Sequence, residues 1–133
     1  MNKNKLGIVI IGYKNIVGIK RLLDSLERVD FDGDNDIKLI FSIDYSGSTE
    51  VIKVADSYKW KYGKKIVVAH DMNLGLRKHI ISCGDYMVKY DLDAIAVLED
   101  DIYVSSEMYK YMRGAVEFYK DNPKIAGISL YKH

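Results

Sequence analysis

Ala94-Ile95-Ala96-Val97-Leu98 runs directly into Glu99-Asp100-Asp101, so that five apolar residues are followed by three carboxylates. An apolar run this short, with no polar residue marking a wet face, reads as a strand covered on both sides in a parallel sheet. Adjacent acids repel one another, and crowding them at a strand end is unfavourable unless a cation or hydrogen-bond donors answer the charge. The stretch therefore predicts a covered parallel sheet with a ligand site at its edge.

Similar runs flank it. Leu6 to Ile11 reads as a first strand ended by Gly12, Ile37 to Ile43 as a second ended at Asp44, Lys65 to Ala69 as a third, and Ile125 to Leu130 as a fifth. Between the first two, Ile16, Ile19, Leu22, Leu23 and Leu26 recur at helical spacing, with Lys20, Arg21, Asp24 and Glu27 opposite. Tyr45-Ser46-Gly47-Ser48 supplies turn residues and a cap for a second helix, with Glu50 in its first turn and Val51, Val54, Ala55 and Tyr58 facing the sheet. Trp60 and Tyr62 read as packing at its end. The spacing of Leu76, Ile80, Cys83, Met87 and Tyr90 predicts a single helix with Cys83 as an inert core thiol. A fourth helix, capped by Ser105 or Ser106, turns Met108, Tyr111, Met112, Ala115 and Tyr119 inward and stops at Asn122-Pro123. Strands alternating with helices in this way describe an α/β fold with a mainly parallel sheet, right-handed crossovers and helices on both faces.

A length of 133 residues with 48% hydrophobic content suits one domain, 1–133, with a real core. The net charge of +1 provides no global field toward nucleic acid or an anionic membrane, so a charged ligand has to be handled locally. A single cysteine permits no internal disulfide and points to a reducing compartment. The opening MNKNKLGIVIIGYK has a short apolar run without a small-residue cleavage site and reads as a strand, not a leader. No stretch approaches the ~20 apolar residues of a spanning helix. The expected location is cytoplasmic, peripheral to a membrane only through segments missing from the chain.

In a parallel sheet the carboxyl ends of the strands share one edge, and ligands bind in the crevice beyond it. On that edge fall Gly12-Tyr13-Lys14-Asn15, Asp44, His70 to Gly75, and Glu99-Asp100-Asp101. Carboxylates near Lys14, Arg77 and Lys78 suit manganese or magnesium shared with a phosphate, because such ions take one or two carboxylates plus substrate oxygens. His70, His79 and His133 show no paired spacing for zinc. The Asp30 to Asp36 loop fails as a calcium loop, with Asn35 where glycine is needed and Phe41 where the closing glutamate belongs, and reads as a solvated turn. Phosphate-loop, GxGxxG and GxSxG patterns are absent.

NLGLRKHI at 73 to 80, VLEDDIYVS at 97 to 105 and SIDYSGS at 42 to 48, with weaker support from KRLLDSL and ISLY, resemble the nucleotide-sugar-binding half of GT-A glycosyltransferases. The likeness is to family 2 enzymes and the N-acetylglucosaminyltransferase I type, and it covers nearly all of the chain. It implies the Rossmann-like half of a GT-A fold and transfer of a sugar, from a nucleotide sugar that is usually UDP-linked, to an acceptor glycan or other hydroxyl compound with inversion. By that resemblance Glu99-Asp100-Asp101 is the DxD-type motif, with Asp101 on the metal and Glu99 and Asp100 on the ribose or sugar. Asp44 is the acid that meets the nucleobase, Gly12 and Tyr13 line the base and ribose, and Asn73 to Arg77 close over the nucleotide. The chain departs from the family at Asn15, where relatives often carry an arginine near the phosphates, and at Ile16, where proline is usual. The family's acceptor base lies in a second half, so it is expected beyond His133, and this chain alone is expected to be inactive. Two other readings remain: a nucleotide-binding module that never catalyses, and an interaction domain whose acidic loop is merely solvated.

Overall fold

The computed structural model describes residues 4–119. The expected strand Ile125 to Leu130, the Asn122-Pro123 stop and His133 lie outside the described residues. Four strands, β1 (Leu6–Gly12), β2 (Ile37–Ile43), β3 (Lys65–Ala69) and β4 (Ala94–Glu99), form one parallel sheet in the order β3-β2-β1-β4. Five helices follow the strands: α1 (Ile16–Glu27), α2 (Glu50–Ser57), α3 (Leu76–Ser82), α4 (Asp85–Lys89) and α5 (Met108–Tyr119). The expected α/β class and parallel sheet are thus present.

Strand alternation divides the core. Leu6, Ile8 and Ile10 of β1 meet Leu22 and Leu26 of α1, Val51 and Ala55 of α2, and Met108 and Met112 of α5 on one face. Val9 and Ile11 turn to the other face, onto Cys83, Tyr86 and Leu92. Both faces of β1 are therefore dry, as its unbroken aliphatic sequence requires. At the β3 edge, Trp60 and Tyr62 pack on Phe31, with ring centroids 5.4 and 4.5 Å away, and Trp60 Nε1 donates to the Ile37 carbonyl at 2.7 Å.

Three expectations are corrected. The predicted single helix from Leu76 to Tyr90 is broken at Cys83-Gly84, where the amides of Cys83 and Gly84 reach back only three residues, to Ile80 and Ile81. That tighter winding rotates the following turn and moves the buried face. Leu76 is 56% exposed, while His79, Cys83 and Tyr86 point inward. In α5, Tyr111 is 67% exposed and Tyr109 is buried in its place, its hydroxyl donating to Asp34 at 2.7 Å. The Asp30 to Asp36 turn is not simply solvated: Asp34 is buried and ion-paired with Arg113.

Candidate functional site

The chain builds β1, β2 and β3 in one direction, then returns to place β4 on the other side of β1. The strand order reverses between β1 and β4, and the gap beyond their carboxyl ends is where such sheets take ligands. Gly12-Tyr13 leaves β1 there and Glu99-Asp100-Asp101 leaves β4 there, with Ile11 in register with Glu99.

The two exits are tied together. The Tyr13 backbone N–H lies close enough to the Asp100 carboxyl to favour its charged form. Burial raises that carboxyl above the usual range; the Tyr13 N–H opposes that rise, and the charges of Asp101 and Glu99 add to it. Asp101 is exposed, and among the described residues no lysine or arginine is ion-paired with Glu99, Asp100 or Asp101. This is acidic crowding without a cationic partner.

Asn15 has a local task. Its Oδ1 accepts from the Gly18 amide at 2.9 Å, which caps α1. Tyr13 is partly exposed, with Lys14 Nζ 5.0 Å from its ring centroid. Gly18 went unremarked as a site residue in the sequence, yet a Cβ there would overlap the Asp100 carbonyl oxygen and the Asn15 side chain. Only glycine lets the first turn of α1 lie against the acidic exit of β4. Spacing gives no sign of this, because the partner is 82 residues away, from Gly18 to Asp100.

Asp44 is 6% exposed at the end of β2. Its carboxylate accepts backbone N–H bonds from Leu74 at 2.7 Å, Gly75 at 3.0 Å and Tyr45 at 2.9 Å. Burial alone would raise its pKa, but these three donors outweigh it and hold the group below the ordinary carboxylate value. Asn73 Nδ2 donates to the Tyr45 carbonyl at 3.0 Å, and Gly75 adopts φ +77°, a left-handed conformation suited to glycine, before α3 begins. The Asn73 to Gly75 segment is thus held by β2 from beneath, while Arg77 and Lys78 stand exposed on the first turn of α3.

Beneath the same loop lies a second group that spacing did not reveal. Ser42 Oγ lies 2.7 Å from His79 Nε2, 2.7 Å from the Tyr86 hydroxyl and 3.0 Å from His70 Nε2. The one sequence signal was a serine near the end of a strand that is otherwise hydrophobic after Lys38.

Among the described residues, no group of three or more His, Cys, Asp or Glu side chains could hold a metal ion by itself. A cation at this edge must draw other ligands from its partner. Magnesium and manganese do so, and the exposed, unpaired oxygens of Asp101 beside Asp100 fit that open type of site. No helix among the described residues is long and apolar enough to cross a membrane.

Neither family models nor curated protein sequences match the chain. Solved structures do. S. aureus TarS 1–349 superposes with a TM-score of 0.67 at 16% identity, covering 87% of this chain and 33% of its own. The same protein in complex with UDP gives the same figures. In complex with UDP-GlcNAc the TM-score is 0.67 at 17% identity, with 87% of this chain and 32% of that one covered. The chain spans about a third of the length of these structures, and at this identity the likeness is one of fold.

Proposed function

We propose that this chain is the donor-binding part of a glycosyltransferase of GT-A type that takes a UDP-linked sugar. The observation carrying the proposal is the unpaired Glu99-Asp100-Asp101 cluster at the β1/β4 reversal, tied to Tyr13. Support comes from the family resemblance of the three motifs and from the shared fold with structures that hold UDP and UDP-GlcNAc.

In this reading Gly12 and Tyr13 line the base and ribose. Asp44, with three of its roughly four acceptor sites taken, offers the last to a base N–H. Asn73 to Arg77 cover the nucleotide, with Arg77 and Lys14 supplying the positive charge that Asn15, occupied as a cap, does not. Glu99 and Asp100 face the ribose or sugar, and Asp101 holds manganese or magnesium. The bound ion supplies charge neutralisation for the departing diphosphate. Transfer is a single displacement with inversion: the acceptor hydroxyl oxygen bonds to the anomeric carbon as the bond to the diphosphate breaks. A carboxylate outside the residues assigned here takes the hydroxyl proton.

Calorimetric titration with UDP tests this. Binding is expected with manganese and is expected to be lost with chelator or in Asp101→Ala; equal affinity after chelation overturns the metal assignment. A chain spanning a third of its structural neighbours is also expected to bind without transferring, and turnover of a UDP-sugar onto an acceptor would show the base to lie within it. The non-catalytic module shares the binding and differs only in that the longer protein never transfers.

A further inference from the structure

The buried cluster around Ser42 belongs to none of the donor contacts assigned above, yet it brackets the loop that Asp44 holds. His70 begins that loop, its amide bonded to the Ile43 carbonyl at 2.9 Å, and His79 lies in α3 just after it. Ser42 lies in β2 and Asp44 two residues on, just past its end. The segment is thus fixed at both ends by Ser42 and in its middle by Asp44. We infer that Ser42, His70, His79 and Tyr86 form a positioning cluster for the Asn73 to Gly75 loop, and that proton uptake by His79 releases it.

The hydrogen-bond count supports this. A serine hydroxyl has one proton and two lone pairs, and Ser42 Oγ has three partners. Where Tyr86 and one imidazole donate to it, Ser42 donates to the remaining imidazole nitrogen. A proton added at His79 Nε2 when it is that acceptor either makes a third donor facing an oxygen with two acceptor sites or, if Ser42 turns its proton to the Tyr86 oxygen, leaves the buried Tyr86 hydroxyl proton without its acceptor. His79 is 1% exposed, and its ring lies 5.1 Å from that of His70, centroid to centroid. Burial, then the neighbouring His70, lowers its pKa, while Asp44 and then the Ser42 backbone act the other way. The titratable groups facing it are His70 after β3, Asp44 after β2, Tyr86 on α4 and Cys83, whose Sγ donates to the His79 carbonyl at 3.3 Å. An imidazolium at His79 also competes for the Asp44 carboxylate that grips Leu74 and Gly75.

Amide hydrogen exchange of the full chain, corrected for intrinsic rates, tests the latch at about pH 7.5 and about pH 5.5, either side of the ordinary imidazole value. Protection of Leu74 and Gly75 is expected to fall roughly tenfold at the lower pH while β1 amides keep theirs. In His79→Gln, which stays neutral, that fall is expected to vanish. Unchanged protection in the native chain, an equal fall in His79→Gln, or a fall shared by β1 overturns the inference. Should His79→Gln not fold, NMR titration of the native chain decides: one midpoint for the His79 ring and the Gly75 amide supports coupling, and different midpoints refute it. The consequence for donor affinity rests on the proposed function and is read separately with UDP at both pH values. No UDP binding at either pH sinks the donor reading and leaves the exchange result standing, whereas unchanged affinity with a loosened loop refutes the link between them.

Discussion

Asp34 sits where the turn before β2 meets α5, and it shows how one carboxylate can hold a helix. Burial works against its charge, but the Tyr109 hydroxyl, the Asp36 amide and the Arg113 guanidinium together hold its pKa below the ordinary value. Arg113 also donates to Tyr109 at 2.8 Å and to the Asn4 carbonyl at 2.6 Å. Removing one partner of a buried pair leaves the other uncompensated, so Arg113→Ala is expected to lower stability by about 3 kcal/mol in urea unfolding. Asp34 and Asp44 also set an acid limit. Each has a folded pKa below its unfolded one, so each stabilises the chain above the unfolded value of about 3.9, and that contribution disappears as pH falls through the folded value. A stability profile between about pH 5 and pH 2 should therefore fall steeply, and Asp34→Asn should flatten it. At this scale the acidic triplet was legible because crowded charge is visible in sequence. Asp34 was not, because its partner Arg113 lies 79 residues away.

The elements were legible where the apolar period was unbroken. β2 and β3 have the bounds that their aliphatic runs predict, and α1 buries the stripe read from Ile19, Leu22, Leu23 and Leu26. Periodicity misled over 76–90 because it weighs side chains and not winding. Two short back-bonds at Cys83-Gly84 rephase the helix, and a polar residue, His79, takes an inward position because Ser42 offers it a hydrogen bond. The seat of α1 on the β4 exit is the most exacting contact between elements. Gly18→Ala forces the Asp100 carbonyl and the Asn15 cap apart, and overpacking of this kind costs about 1–3 kcal/mol. The same variant is expected to weaken manganese-dependent UDP binding severalfold, because it displaces the acidic exit. Native affinity in a folded Gly18→Ala protein would show that the exit can move without consequence.

For the whole molecule, the sheet order makes the site. Nothing in the spacing of Gly12, Asp44, Asn73 and Asp101 shows that they belong together; they meet because parallel strands bring their carboxyl ends to one edge. Fold class therefore pointed to the edge where the proposed site lies, while the grip of Asp44 on the loop and the seat of Gly18 depend on contacts that no spacing shows. A ligand that binds only the folded state stabilises it by mass action, about 2.7 kcal/mol at a hundredfold excess over Kd. Saturating UDP with manganese should raise Tm accordingly, and chelator should abolish the rise. The β1/β4 pairing has a further consequence, in time. Lys5 and Asp93 bond across 88 residues to open that ladder, and closing so long a loop is entropically late. The first three strands can assemble while the chain is still being synthesised, but the crevice at the β1/β4 reversal has no second wall until β4 arrives, so the proposed nucleotide site is among the last features a nascent chain completes.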